Sequence, residues 1–268
     1  MKKQVLFATL GVSLILFSCQ KEISDSKPFS QEEISAIANN NPAEQINIFK
    51  GPEVHVAKGK VRSWIKVNHL DQPLELGLEM TEGSLTGLPV DEVEGQPNPN
   101  WTIPLHAKAK ELTPYDHVYM GWNPHGHEPD IRRVPHFDYH FYRITEAERM
   151  AIPPYTPGSP HDILPPPDYR PAGFIPFPGG VVAMGKHWAV VPPVLPFTEV
   201  MILGSYNGRM IFDEPMITLD YLQSGASTSN GFGQPLLFPT PGNYPTTYNI
   251  YKTGDKHYVS LSQLVARP

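Results

Sequence analysis

Cysteine is nearly absent: Cys19 is the single one among 268 residues. An intrachain disulfide is therefore impossible, and a four-Cys zinc site is excluded. Positive charge is also scarce, with 21 Lys+Arg against 27 Asp+Glu and a formal net charge of −6. Nucleic-acid binders normally present a basic face, so nucleic acid is not expected as a partner. The sequence has no Gly-rich phosphate loop, no Gly-x-Ser-x-Gly elbow and no His-Glu-x-x-His, which removes the usual signatures of nucleotide binding, serine hydrolysis and zincin chemistry. What is abundant is proline (31) and glycine (21). Proline breaks helix interiors, so a helical bundle is disfavoured. Hydrophobic residues make up 40 % and aromatics 10 %, enough to bury a core and to exclude wholesale disorder.

The N-terminus reads as an export signal. Met1-Lys2-Lys3 is positive, and Val5 to Phe17 is an apolar stretch too short to span a membrane. Leu16-Phe17-Ser18-Cys19 follows and resembles a bacterial lipobox. The resemblance implies a signal peptide over 1–18, cleavage before Cys19 and lipidation of its thiol. It also leaves no Cys free to act as a nucleophile. Loss of Lys2 and Lys3 takes the net charge from −6 to −8, so lipid rather than a basic patch must hold the mature chain at the membrane. Gln20-Lys21-Glu22 is similar to the surface-export signal of some Gram-negative lipoproteins. The expected location is the cell envelope, lipid-anchored to the outer membrane, with display on the outer surface as one possibility.

Residues 19–45 read as the lipidated Cys, a polar tether and a short helix opened by Ser30 and Glu33 at capping-box spacing. Residues 46–268 read as one β-rich domain. Strands are predicted at Val54–Val56, Val61–Val67, Leu74–Met80, Val118–Trp122, Val134–Ile144, Gly180–Val191, Thr198–Tyr206, Met216–Leu219 and His257–Ala266. Residues 84–104 and 225–233 read as loops. Thr145 and Glu148 have capping-box spacing and predict a short helix. Asn207-Gly208 lies between two apolar runs and predicts a hairpin with a type I′ turn. Residues 152–180 contain ten prolines together with Tyr155, Tyr169, Phe174 and Phe177. Those aromatics favour a loop packed on the core over an extended linker. The expected fold is mainly β: a single barrel- or sandwich-like domain with short helices and long Pro-rich loops.

Chemistry concentrates in the histidines. His125, His127, His136 and His140 fall within sixteen residues, where an even spread of the 11 His would place fewer than one. A strand alternates its faces, so His136, Asp138, His140 and Tyr142 share one face and Phe137, Tyr139 and Phe141 the other. Neighbours at i and i+2 lie about 6.6 Å apart and can converge on one ion. His136 and His140 are about 13 Å apart, too far for easy shared ligation. A mononuclear site would then pair Asp138 with His136 or with His140. His125, His127, His187, Glu199 and Glu214 are the candidates for completing it. Two or three His with one carboxylate suit Zn, Fe, Mn or Cu. An i, i+2 His pair on a strand with distant partners is also how cupin barrels hold metal, an analogy of architecture only. The same residues also suit a hydrogen-bonded polar network or metal-free acid–base chemistry.

Four longer motifs extend this reading: Trp122-Asn123-Pro124-x-Gly126-His127-Glu128-Pro129, Pro135-His136-Phe137-Asp138-x-His140-Phe141-Tyr142, Met184-Gly185-x-His187-Trp188, and Gly204-Ser205-Tyr206-x-Gly208 with Phe212-x-Glu214-Pro215-Met216-Ile217-Thr218. Together they resemble a family of exported bacterial proteins defined by a domain of unknown function. The likeness spans most of residues 55–222 and carries no activity with it. It implies that His127, His136, Asp138, His140, His187 and Glu214 form one constellation, with His125 at a variable position.

Three functions follow as alternatives. One is an envelope lipoprotein whose site holds a transition metal for structure or capture. Another is a metal-dependent oxygenase or hydrolase with an open coordination position, and Glu128 or Glu214 as acid–base group. The last is a metal-free carbohydrate- or protein-binding module. Trp64, Trp101, Trp122 and Trp188 would give it a stacking platform, although core packing is the simpler role for such residues.

Overall fold

The computed structural model describes residues 45–91 and 98–268. Cys19, the expected signal peptide and tether, and the helix predicted at Ser30 lie outside the described residues. Among the described residues two antiparallel sheets of seven strands face one another, and no closed barrel forms. The first sheet contains β1 (Asn47–Lys50), β2 (Val54–Val56), β3 (Gly59–Val67), β4 (Pro73–Thr81), β12 (Thr228–Gly231), β14 (Thr247–Thr253) and β15 (Lys256–Ser262). Its order is β1-β3-β4-β15-β14-β12, with β2 also paired to β3. The second contains β5 (Asn100–Pro104), β6 (His117–Asn123), β7 (His136–Tyr142), β8 (Phe174–Pro176), β9 (Lys186–Val190), β10 (Glu199–Tyr206) and β11 (Arg209–Thr218), ordered β5-β6-β7-β11-β10-β9-β8. Two further strands, β13 (Gly242–Tyr244) and β16 (Val265–Arg267), pair with each other. The described residues also form short helices α1 (Ala107–Leu112), α2 (Glu146–Met150) and α3 (Leu219–Ser224).

The main core lies between the sheets. Val61, Ile65, Leu76, Leu78, Val259 and Leu261 of the first sheet pack with Val118, Met120, Phe137, Tyr139, Phe141 and Leu203 of the second. Side chains of the two inner faces interdigitate in such sandwiches. The Tyr139 hydroxyl crosses the gap to Met80 Sδ at 3.3 Å. Trp64, Trp122 and Trp188 are buried in the structure and Trp101 packs at the edge of the core. They supply core volume rather than an exposed platform.

Every residue of β7 is buried. The second sheet is therefore covered on its outer face as well. The Pro-rich segment contributes to that cover. Buried Lys186 donates from Nζ to the Phe177 and Gly179 carbonyls, at 3.2 and 2.6 Å, and pairs with Asp162 at 3.2 Å. Phe174 is buried and Phe177 packs on Ala189, Ile202 and Met216.

Local signals account for several elements. Thr145 caps α2 through a complete capping box. Asn207 and Gly208 both take positive φ (47° and 78°) and turn β10 into β11, as a type I′ turn requires. Elsewhere the structure departs from the expectation. The loop expected over 84–104 contains β5, an edge strand whose Trp101-Thr102-Ile103 run is short enough to be hidden among prolines and asparagines. Of the strand expected over Gly180–Val191, only Lys186–Val190 forms. Val181 to Gly185 make a tight turn in which Ala183 and Gly185 have positive φ. Met216–Thr218 are not a separate strand but the end of β11, which runs through Pro215, and Leu219 opens α3. The expected linker over 225–233 holds β12, and the C-terminal strand is split into β15 and β16. Helix α1 gives no usual capping signal because its N-cap is His106, whose Nδ1 accepts from the Lys108 N–H at 3.0 Å.

The outer face of the first sheet is tied by Glu79 on β4. Lys50 Nζ at 2.7 Å, Lys256 Nζ at 2.9 Å and Arg62 Nη2 at 3.1 Å converge on it from three strands. Burial alone would push its carboxyl up, but hydrogen bonds from Lys50 and Lys256 outweigh burial and hold it at about 2, below its ordinary 4.5. A carboxyl depressed on folding stabilises fully above its unfolded value and loses that contribution as pH falls through the folded one. Glu79→Gln is expected to cost about 1–3 kcal/mol at neutral pH. In urea unfolding, its deficit against wild type should shrink between pH 4.5 and pH 2. A deficit independent of pH would contradict the assignment.

Candidate metal centre

The outer face of β7 carries His136, Asp138 and His140, each one strand step from the next, with the aromatic residues between them in the core. On β11, Phe212 pairs with Tyr142 and Met216 with Asp138, which sets Glu214 opposite His140. Pro215 offers no N–H to this ladder, and the pairing with β7 is interrupted there before it resumes at Met216. His187 on β9 pairs with Gly204 of β10, which in turn pairs with Phe212. The sheet thus brings His140, Glu214 and His187 together across four strands. The turn after β6 folds back to add His127.

These six residues separate into two sets of three, His127/His136/Asp138 and His140/His187/Glu214. In each, a potential ligand atom from every member lies within 4.8 Å of the others. The carboxylate divides its oxygens between two imidazoles. Asp138 Oδ2 is 3.5 Å from His127 Nε2, and Oδ1 is 3.2 Å from His136 Nε2. Glu214 Oε1 is 3.4 Å from His140 Nε2, and Oε2 is 3.7 Å from His187 Nε2. Two donors bound at about 2.1 Å to a tetrahedral ion lie about 3.4 Å apart. Good N–H···O hydrogen bonds fall at about 2.7–3.2 Å, so the His136 contact lies at their long end and the other three beyond it. Asp138 Oδ1, both ring nitrogens of His140 and Glu214 Oε2 are buried and have no hydrogen-bond partner among the described residues. Buried polar atoms are nearly always satisfied, so four such atoms across the two triads call for an explanation.

The surroundings orient the donors. His136 Nδ1 lies 2.7 Å from the Val134 carbonyl and His127 Nδ1 lies 2.8 Å from the Glu128 carbonyl. A carbonyl can only accept, so each Nδ1 carries a proton and Nε2 is turned to Asp138. Support of this kind fixes the tautomer of metal-ligating histidines. Asn123 donates to Asp138 Oδ2 at 2.8 Å. The second set is held by rings. Phe212 packs edge-on against His140 and His187, with centroids 4.8 and 5.2 Å away, and Tyr142 stacks on His140 at 5.7 Å. Gly204 makes room for Phe212: a Cβ there would lie 1.9 Å from the ring. Gly126, at φ 67°, closes the 124–135 turn, since a Cβ would lie 2.0 Å from the Arg132 carbonyl.

Electrostatics differ between the sets. Burial pushes His140 down to about 3 and His187 down to about 4, so both are neutral at pH 7. Burial also pushes Glu214 well up, reinforced by the charge of Asp138 and opposed by Arg132. In the other set burial opposes charge on both partners, yet the facing histidines hold Asp138 well below its usual range and Asp138 raises His127. Solvent reaches the pair of triads at His127, whose side chain is 41 % exposed, and His187, at 20 %.

Other candidates lie apart. His125 is exposed. Glu128 turns its carboxylate to Arg133, and Glu199 bonds Tyr248 and Asn230. A cavity of about 340 Å³ lined by Arg143, Tyr169, Met210, Leu237 and Phe238, among others, shares no residue with either triad. Sequence reasoning passed over Arg132, which is buried and lies by electrostatic effect close to both carboxylates. Nothing in Ile131-Arg132-Arg133-Val134 separates it from its exposed neighbour Arg133. No protein-family model, curated protein or solved structure matches this chain.

Gly204→Ala is expected to cost about 1–3 kcal/mol in urea unfolding, by overpacking against Phe212. Adding Phe212→Leu, which removes the ring edge, should recover part of the loss. Wild-type stability in Gly204→Ala would contradict the packing described.

Proposed function

We propose that this protein is a lipid-anchored bacterial envelope protein that binds two divalent transition-metal ions, one in each His₂–carboxylate triad. The carrying observation is the spacing of the donors, 3.2–3.7 Å between facing atoms, together with buried donor atoms that lack hydrogen bonds. A hydrogen-bonded polar network would have satisfied those atoms, so their isolation supports a missing cation.

Each triad offers three protein donors among the described residues. Structural zinc sites usually close with four, whereas reacting sites keep a position open. Two His and one carboxylate with open positions also suit non-haem iron. This favours a metal-dependent enzyme over purely structural binding. A bound ion would supply a Lewis acid and an activated water, or, if redox-active, oxygen chemistry. The protein's own part is to present four Nε2 atoms to the ions, direct Nδ1 of His136 and His127 to the Val134 and Glu128 carbonyls, and exclude water from His136, His140 and Glu214. Zinc or manganese would point to hydrolysis, iron or copper to oxidation. The lipobox motif supports anchoring at Cys19, and the motif resemblance supports export.

Elemental analysis of protein purified without a metal-binding tag tests this reading. Wild type is expected to carry close to two ions per chain after loading. His136→Ala and His187→Ala should each retain about one, and the double variant none. Wild type without metal after exposure to Zn, Fe, Mn and Cu would overturn it. Labelling with a radioactive fatty acid should depend on Cys19, and labelling of Cys19→Ser at the wild-type level would refute the anchor.

A further inference from the structure

Arg132 ends the 3-10 turn Asp130–Arg132 in the loop that carries His127. It is 94 % buried, its relative exposure being 6 %. A guanidinium has five donors. The hydrogen bond that this side chain makes among the described residues runs from Nη1 to Met216 Sδ at 3.6 Å, a weak acceptor. Its Cζ sits 5.7 Å from the Phe177 ring centroid. No carboxylate of the described residues lies within ion-pair distance of it. A charged side chain buried in an apolar collar of Met216 and Phe177 is costly unless something answers its charge.

Its position is informative. Met216 faces the same side of β11 as Glu214, two residues away, and pairs in register with Asp138 on β7. The guanidinium at Met216 therefore stands beside both triads. Both carboxylates act on it electrostatically, yet their oxygens are directed to imidazoles. With one or two divalent ions bound, the two carboxylates are outweighed by the ions and Arg132, and the site is net positive.

We propose that Arg132 is the anion-recognition residue of this centre, and that its ligand or substrate is a small oxyanion, a carboxylate or a phosphate, held between the guanidinium and a bound ion. This rests on the metal-binding reading. Arginine's planar fork matches two oxygens of either group. Phe177 and Met216 shield the contact from water, which strengthens it.

The test uses the full chain loaded with Co²⁺, whose visible absorption reports changes in coordination. Bound metal is counted first by equilibrium dialysis. Wild type is then titrated with acetate, with inorganic phosphate and with neutral acetamide. The expected result is a saturable spectral change with acetate or phosphate and none with acetamide, and the stronger of the two anions names the ligand class. Arg132→Gln should keep its Co²⁺ and bind that anion about 10- to 100-fold more weakly, with Arg132→Lys between. Equal anion affinity in wild type and Arg132→Gln would overturn the proposal, as would a wild type that binds Co²⁺ but responds to neither anion. If Arg132→Gln fails to fold, Arg132→Lys decides in the same way, since a change of donor geometry alone must weaken the anion. A wild type that takes up no Co²⁺ would remove the metal reading itself and the proposal with it.

Discussion

A buried carboxylate must be answered by positive charge, and two neighbouring residues on β11 meet that demand differently. Asp213 points toward the core side, where Arg143 Nη2 reaches both its oxygens at 2.6 Å and the Tyr115 hydroxyl bonds it as well. Its charge is settled within the protein. Glu214 points the other way and meets His140 and His187, which burial keeps neutral. Asp138 meets two further imidazoles whose Nδ1 atoms face backbone carbonyls. Four imidazole Nε2 atoms facing two buried acidic side chains make a good ligand set.

The rest of the fold holds that arrangement in place. Strand β7 runs near the middle of the second sheet, buried on both faces. Its core face locks the register through Phe137, Tyr139 and Phe141, because a slip of one residue would send its polar face into the core. Neighbouring strands then add Glu214 and His187 at fixed distances. Gly204 and Phe212 support one triad, while Gly126 and the carbonyls of Glu128 and Val134 support the other. Lys186 fastens the Pro-rich cover beside them.

Much of this is legible in the sequence. The alternation over His136–Tyr142 places three polar groups on one face, and Asn207-Gly208 marks the hairpin. Several long strands, such as β3, β4 and β10, are visible because β-branched and apolar residues recur along them, whereas β14 and the full length of β11 are not. What stays hidden depends on contacts between distant segments. Nothing local states that Glu214 lies opposite His140, or that Asp138 serves His136 and His127 rather than His140. The six residues read as one cluster and separate into two only when the register is known. β5 and β12 are missed because short edge strands leave little pattern among Pro, Asn, Gly and Ser. Arg132 is missed because its burial comes from Phe177 and Met216, which are far away in sequence.

Anomalous diffraction from zinc-soaked crystals, measured on both sides of the zinc edge, addresses the central claim most directly. Two peaks are predicted, one among His127, His136 and Asp138 and one among His140, His187 and Glu214, each with ligand distances of about 2.0–2.2 Å. Well-ordered triads without a peak, with zinc bound only elsewhere on the surface, would contradict it.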